Sequence, residues 1–488
     1  MDVFGRKAEI EILERIYQSS QPEFMALFGR RRVGKTYLVK QFFKNKAGAV
    51  FFNVTGSKGG SFEEQTSNFI VRIGEVFYNG LSLEKTKDWN KVFALLTKAI
   101  NEQNNKKKVV LFFDELPWMA TRNSRLLQNL EYYWNQYWSD NPKIKLIICG
   151  SSASWIINKI INNTGGLHNR LTEKIHLEPF DLHNTREYLN SNNVRLDKKQ
   201  VLLLYLMIGG VPYYLSKVQP NLSAMQIIER LAFRKKAFLI DEFNNLFVSL
   251  FKDHEIHVKI VKLLANSRYG IGKRKLLEMM GSIGGNGSLR LQELEDAGFI
   301  VSFKPIYHKK KGIYYRLIDE YTCFYLKWIE PIRDLLKRQS LDKGDWQAMH
   351  ATPGWNSWLG YSFETVCYKH LVQIKRALDL PPMSIPNTWR YAPLKGSQER
   401  GAQIDLLFDR KDGIIQICEI KYNNKPFTIS KDYSDKLKQK LTVFKEQTRT
   451  AKQLFLSFVA ANGVKENTYS KDLVADVVTL DALFESVD

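Results

Sequence analysis

Two groups of residues in this 488-residue chain have types and spacings suited to chemistry on phosphate. The first lies in "FMALFGRRRVGKTYLV". Gly29 and Gly34 permit a backbone wrap that turns several N–H groups towards one point. Lys35 offers a point charge for the β- and γ-phosphates of a nucleotide, and the Thr36 hydroxyl is a ligand for Mg²⁺. Arg30, Arg31, Arg32, Val33 and Tyr37 complete this stretch as lining residues. "KVVLFFDELPW" supplies two carboxylates. Asp114 is placed to hold Mg²⁺ through water, and Glu115 to polarise an attacking water. "IICGSSASW" ends another apolar run in Ser151 and Ser152, either of which could sense a γ-phosphate. Arg170 is a candidate finger for charge developing on the phosphoryl group; the alternative is a surface or ion-pair arginine.

The second group lies in "QIDLLFDRKDGIIQICEIKYNNKPF". Two short apolar runs keep Asp405, Glu419 and Lys421 inside them, although a buried unpaired carboxylate is very costly. Side chains alternate along a strand, so Glu419 and Lys421 project from one face. A hairpin through "DRKDG" brings Asp405 beside Glu419. Two such carboxylates can hold Mg²⁺ or Mn²⁺ against a phosphodiester, while the lysine positions or deprotonates water. "GYSFETVCYKHL" adds Glu364 on a preceding helix, for metal ligation or for orienting the lysine. The alternatives are a structural ion-pair network for the three strand residues and a merely solvated Glu364.

These residues need elements to position them. From residue 1 to 184, strand-like runs ("FMALFG", "AVFFNV", "KVVLFFDE", "IKLIICGSS") alternate with helical spacing, which indicates a parallel sheet of βαβ units. The glycine loop follows one strand and precedes a helix, the setting of a P-loop. The two carboxylates end a second strand, expected beside the first. Residues 185–253 read as a helical lid. Residues 254–320 carry three helix signals and two short strands, the pattern of a winged helix. Its third helix, "GSLRLQELEDAGFIV", has Leu289, Leu291, Leu294 and Ala297 on its expected buried side and Glu293, Glu295 and Asp296 on its exposed side. Arg290 and the wing lysines Lys309, Lys310 and Lys311 could meet DNA; the alternative is a regulatory module that never touches it. Residues 321–345 form a helical connector, and 346–488 a last α/β block.

Composition agrees. The chain is 44% hydrophobic and 25% charged, values of a globular protein. A formal net charge of +21 favours an acidic partner, with DNA first, a membrane surface second and a solvated surface as the bland alternative. The N-terminus has no apolar core like that of a signal peptide, and no apolar run is long enough to span a bilayer. Cys149, Cys323, Cys367 and Cys418 show no metal spacing and read as reduced thiols of a cytoplasmic protein.

"FGRKAEIEIL", "GRRRVGKT", "FFDELPW", "GSSASW", "NRLTEKIHLEPF" and "IGGVPYYL" stand in the order seen in archaeal-type AAA+/STAND ATPases, which the chain resembles. That resemblance implies ATP rather than GTP. It places Phe4, Gly5 and Arg6 near the adenine, although the opening signature is shortened here to Phe-Gly-Arg. It also implies sites shared between subunits of a homo-oligomer. Asp405, Glu419 and Lys421, with Glu364, resemble the constellation of PD-(D/E)XK nucleases, which many members of that ATPase group carry at the C-terminus. The expected fold class is therefore α/β: a P-loop NTPase parallel sheet with helical lid, a winged helix and a C-terminal PD-(D/E)XK-like domain. The expected activity is ATP hydrolysis coupled to DNA binding and a metal-dependent nuclease. The alternative is a signalling ATPase whose C-terminal block binds nucleic acid or protein without cutting.

Overall fold

The computed structural model describes residues 3–103, 107–162, 167, 169–281, 285–306, 312–341, 343–393 and 400–487. The chain divides into two compact units. One comprises Met1–Pro179 with Ser249–Lys252 and Gln292–Gly298; the other comprises Phe180–Val248, Asp253–Leu291 and Phe299–Asp488. Most of the lid, the three-helix block, the connector and the C-terminal block thus share the second unit.

The first unit is built on five parallel strands: β1 (Glu23–Phe28), β2 (Ala49–Thr55), β3 (Lys108–Asp114), β4 (Ile144–Gly150) and β5 (Glu173–His176). Their order across the sheet is β2-β3-β4-β1-β5. The strands are near-continuous apolar runs because both faces are covered. Phe24, Ala26, Leu111, Phe113 and Ile148 pack on one side. Met25, Leu27, Val110, Phe112 and Ile147 pack on the other. β1 and β3 are not neighbours, contrary to the sequence expectation: β4 lies between them and pairs with both. Adjacency in sequence pattern carries no information on which strand inserts; β4, buried along its whole length, takes the middle. At the start of β3 and β4, Lys108 and Lys145 donate to backbone carbonyls of the turn that precedes β1, both reaching Ser19.

The second unit holds two sheets. Strands β6 (Ile271–Gly272), β7 (Ile300–Phe303) and β8 (Tyr314–Leu317) form a small antiparallel sheet in the order β6-β8-β7. Helices His254–Ala265, Lys273–Met280 and Gly285–Asp296 accompany it. The third of these departs from expectation. Leu289 is 44% exposed, and Glu293, Glu295 and Asp296 are half-buried. The stripe starts one residue pair later than the leucine spacing implies, on Leu291 and Leu294. Arg290 is paired with Asp253 rather than turned out alone. Lys309, Lys310 and Lys311 lie outside the described residues.

The larger sheet runs β13-β12-β11-β10-β9, from β9 (Ile385–Tyr391), β10 (Ala402–Asp409), β11 (Ile414–Lys421), β12 (Gln453–Ala460) and β13 (Asp476–Val478). β9, β10 and β11 are antiparallel; β11, β12 and β13 are parallel. Helix Pro353–Lys369 precedes these strands, capped by Thr352 and entered by a proline at its first turn. Helix Lys431–Thr448, capped by Ser430, crosses from β11 to β12. Its Leu437 and Phe444 pack with Trp389, Ile404, Leu407 and Ile417. Among the described residues no helix is long and apolar enough to cross a membrane.

Phe113 is fully buried against the rings of Phe69 and Phe93. Phe113→Ala is expected to destabilise the first unit by about 3–5 kcal/mol, measured by urea denaturation with bound nucleotide absent. A loss under about 1 kcal/mol would contradict a close-packed core at this position.

Candidate phosphate loop and acid cleft

The loop after β1 takes the conformation its glycines allow. Gly29 has φ +145°, and a Cβ there would stand 2.3 Å from the Leu177 carbonyl oxygen. Gly34, at φ 94°, sits at the N-terminus of helix Lys35–Phe43. Lys35 is 5% exposed, and its ammonium donates to the carbonyls of Gly29 (2.8 Å) and Arg30 (2.9 Å). Burial pushes its pKa down, against the pull of Asp114 and Glu115. Thr36 Oγ1 lies 3.1 Å from Asp114 Oδ1 and 2.9 Å from Oδ2. Thr55 donates to the same carboxylate at 3.3 Å. Glu115 leaves β3 with φ 51°, a left-handed conformation uncommon outside glycine. Its Oε2 accepts from the backbone N–H (3.0 Å) and hydroxyl (2.9 Å) of Ser151 at the end of β4. Burial raises the Glu115 pKa, partly offset by Lys35 and Ser151.

Gly29, Lys35, Thr36, Asp114, Glu115 and Ser151 therefore converge. Arg6 reaches the same loop by donating to the carbonyls of Val33 (3.2 Å) and Glu178 (2.7 Å). Gly5 has φ 61° and turns the chain into the helix that follows. Arg30 and Val33 are buried, Arg31 and Arg32 half-buried. Phe4, Tyr37 and Arg170 are exposed. The donor set suits a nucleotide with Mg²⁺: an ammonium lodged on loop carbonyls and a hydroxyl lodged on a carboxylate can exchange those partners for phosphate oxygens and metal.

The second group also converges. Leu406 pairs with Cys418 in the β10–β11 hairpin, and Asp405, one residue before it, lines the same cleft as Glu419. Asp405 Oδ2 accepts weakly from the Ile420 N–H (3.4 Å), and Oδ1 from the Gln403 amide (3.2 Å). Glu419 is 4% exposed. Its Oε1 accepts from Lys421 Nζ (2.8 Å) and the Tyr433 hydroxyl (2.6 Å), and its Oε2 from Lys440 Nζ (2.5 Å). Burial alone would raise Glu419, but Lys440 and Lys421 outweigh it and hold its pKa down to about 2. Asp405 goes the other way, raised by burial and then by the charge of Glu419. Glu364, 7% exposed, is ion-paired with Arg268 at 2.5 Å. Burial, and Asp405 next, raise its pKa to about 7. Asp405, Glu419 and Lys421 line a cleft of about 330 Å³ with Arg268, Lys436 and Lys440. An all-oxygen donor set suits Mg²⁺ or Mn²⁺. Among the described residues, however, no three acids, histidines or cysteines are grouped closely enough to hold a metal ion. Cations are paired with Glu419 and Glu364.

Residues 3–218 match a family described as an ATPase domain predominantly from Archaea. The N-terminal part of this chain is an archaeal-type ATPase domain. An uncharacterized protein of Methanocaldococcus jannaschii is 24% identical over 435 residues, 88% of this chain and 90% of that one. An uncharacterized ATP-binding protein of the same archaeon is 51% identical over 42 residues, 9% of this chain and 71% of its own length. A Walker-type ATPase of Pyrococcus abyssi superposes with a TM-score of 0.45 and 17% identity, over 67% of this chain and 96% of that one. In the ATPase domain, the glycine loop and the two strand-end carboxylates are the residues that sequence spacing singled out.

Sequence reasoning missed Arg268, Tyr433, Lys436 and Lys440. The last three had a signal: they stand at i, i+3 and i+7 on helix Lys431–Thr448, one face of a helix that must cross the sheet. Arg268 had none, since it meets Glu364 across 96 residues.

Gly29→Ala would drive a methyl group into the Leu177 carbonyl and is expected to cost about 1–3 kcal/mol of stability together with nucleotide binding; calorimetric titration with ATP reads the second effect. Glu419 contributes stability present in full above its ordinary pKa of 4.5 and lost as pH falls towards about 2. Lys440→Met should therefore cost about 1–3 kcal/mol near neutral pH and shrink the difference from wild type as pH drops through that window. Parallel stability curves for the two proteins from pH 7 to pH 3 would refute the assignment.

Proposed function

We propose that the protein is an ATP-hydrolysing switch whose nucleotide state governs a metal-dependent phosphodiester site acting on DNA. The observation that carries the hydrolytic half is the convergence of Asp405, Glu419 and Lys421 on one cleft, with Lys421 bonded to that glutamate. In the ATPase domain Lys35 binds the β- and γ-phosphates, while Thr36 and Asp114 hold Mg²⁺. Glu115 orients water, Ser151 reads the γ-phosphate, and Arg170 meets charge on the phosphoryl group. Phe4, Gly5 and Arg6 lie towards the adenine.

In the cleft, Asp405 and Glu419, joined by Glu364, would hold Mg²⁺ or Mn²⁺, which supplies positive charge to a phosphodiester and acidifies bound water. Lys421 places that water or the scissile phosphate. The helix Lys431–Thr448 contributes further cations to a polyanion's path, and the excess of Lys and Arg over the whole chain favours the same partner. The block 254–320 acts as a winged helix that brings DNA to the cleft.

One observation favours a second reading. Both oxygens of Glu419 already have donors, so the cleft is complete without metal. In that case it binds a phosphate-bearing partner without cutting it.

Two variants separate these readings. Lys35→Ala should abolish ATP binding. Asp405→Ala should abolish Mn²⁺-dependent nicking of plasmid DNA and leave ATPase turnover intact. Full-rate nicking by Asp405→Ala would overturn the cleft assignment, and no nicking by the wild-type chain with ATP and Mn²⁺ would favour the binding-only reading.

A further inference from the structure

The charged lining of the cleft is Asp405 and Glu419 against Arg268, Lys421, Lys436 and Lys440. The two acids are spent inside the protein. One oxygen of Glu419 takes Lys421 and the Tyr433 hydroxyl, and the other takes Lys440. Asp405 accepts from the Gln403 amide and the Ile420 N–H, and burial beside Glu419 favours its neutral form. The cations are not spent. An ammonium and a guanidinium each offer several N–H donors. Lys421 and Lys440 give one bond each to Glu419, and Arg268, its side chain 53% exposed, gives one to Glu364. Lys436 is exposed and has no hydrogen-bond or ion-pair partner among the described residues. It shares one face of helix Lys431–Thr448 with Gln439 and Lys440, at i, i+3 and i+4. Donors and positive charge are therefore both in surplus, and an anion is the ligand that takes up both.

We propose that the cleft is a metal-free seat for the terminal phosphate monoester of a DNA strand. The inference rests on reading the cleft as a site that binds a phosphate-bearing partner without cutting it. Glu419 then serves as an anchor: buried between strand and helix, it holds the ammoniums of Lys421 and Lys440 at the cleft. Charge balance selects the monoester. Four cations against two acids leave an excess of two charges in the lining. Glu364 takes up part of the charge of Arg268, and the neutral form favoured at Asp405 works in the opposite sense. A terminal phosphate carries about −1.5 to −2 near neutral pH, whereas a backbone diester carries a single charge. The monoester also presents one more terminal oxygen to the guanidinium fork and the ammoniums. A strand suits the surroundings better than a free nucleotide does. Arg400 bonds the lining residue Gln439 at 3.0 Å and offers a cation to the next phosphate, which a nucleoside monophosphate lacks.

The test is fluorescence polarisation with the full chain in EDTA. The probes are single-stranded DNA oligonucleotides of one sequence, carrying a 5′-phosphate, a 3′-phosphate or neither. One phosphorylated form should bind about tenfold tighter than the unphosphorylated strand, the worth of one charge-assisted hydrogen bond. The ratio of the two affinities cancels the general attraction of a chain with net charge +21. Lys436→Ala should remove most of that preference, and Lys436→Glu all of it; an exposed helix position tolerates both. Lys91→Ala, on an exposed site of helix Trp89–Asn101 in the ATPase domain, removes the same charge and should leave the ratio unchanged. Thymidine monophosphate should displace the phosphorylated strand only in large excess; displacement at equal concentration would overturn the assignment to a strand end. A wild-type ratio of one, a preference that appears only with Mn²⁺, or a full preference in both Lys436 variants would overturn the seat. Plasmid nicking with Mn²⁺ tests the underlying reading separately: its appearance defeats binding without cutting, whereas tight binding with a ratio of one defeats the seat alone.

Discussion

A buried carboxylate must be met by donors or cations, and this requirement shapes both candidate sites. Asp114 is met by Thr36 and Thr55. Glu115 is met by Ser151. Glu419 is met by two ammoniums and a phenol. Glu364 is met by a guanidinium. Desolvating an anion costs more than most single contacts return, so each partner is fixed in place by the acid it satisfies. The acids therefore organise their surroundings as much as the apolar core does. They also leave each site poised, since every donor now spent on a protein oxygen is one that phosphate or metal can take over.

The two sites differ in how that compensation is arranged. In the ATPase domain the donors are hydroxyls, an N–H group and one buried lysine, all from the ends of neighbouring parallel strands or the helix beyond them. Such groups move little when partners are exchanged. In the cleft the compensation comes from long cationic side chains on a helix and a turn, Lys440 and Arg268, that reach over the strands. The first arrangement suits repeated binding of one small ligand. The second suits a large anion that displaces several cations at once.

Much of this was legible in the sequence. The glycine loop and the strand-end acids declared themselves because their chemistry needs fixed short spacings, and the β10–β11 hairpin followed from two apolar runs around "DRKDG". The alternation rule sufficed to put Glu419 and Lys421 on one face. Strand order was not legible: β4 inserts between β1 and β3, a choice made by tertiary packing. Nor was the side of Leu289, because a leucine at helical spacing is equally consistent with either edge of the apolar stripe. The partner of Glu364 was the largest omission. Nothing local marks Arg268, and only the folded chain brings it to a helix 96 residues on.

That sequence separation has a consequence for how the protein comes into being. Synthesis runs from the N-terminus, and domains generally fold as units in that order. The last strand of the parallel sheet ends at His176, whereas Glu364 and the cleft acids Asp405 and Glu419 come nearly 190 residues later or more. Arg268 leaves the ribosome before any of them. A nascent chain thus owns its nucleotide fold, and the cation that will cover Glu364, before the first acid of the cleft exists.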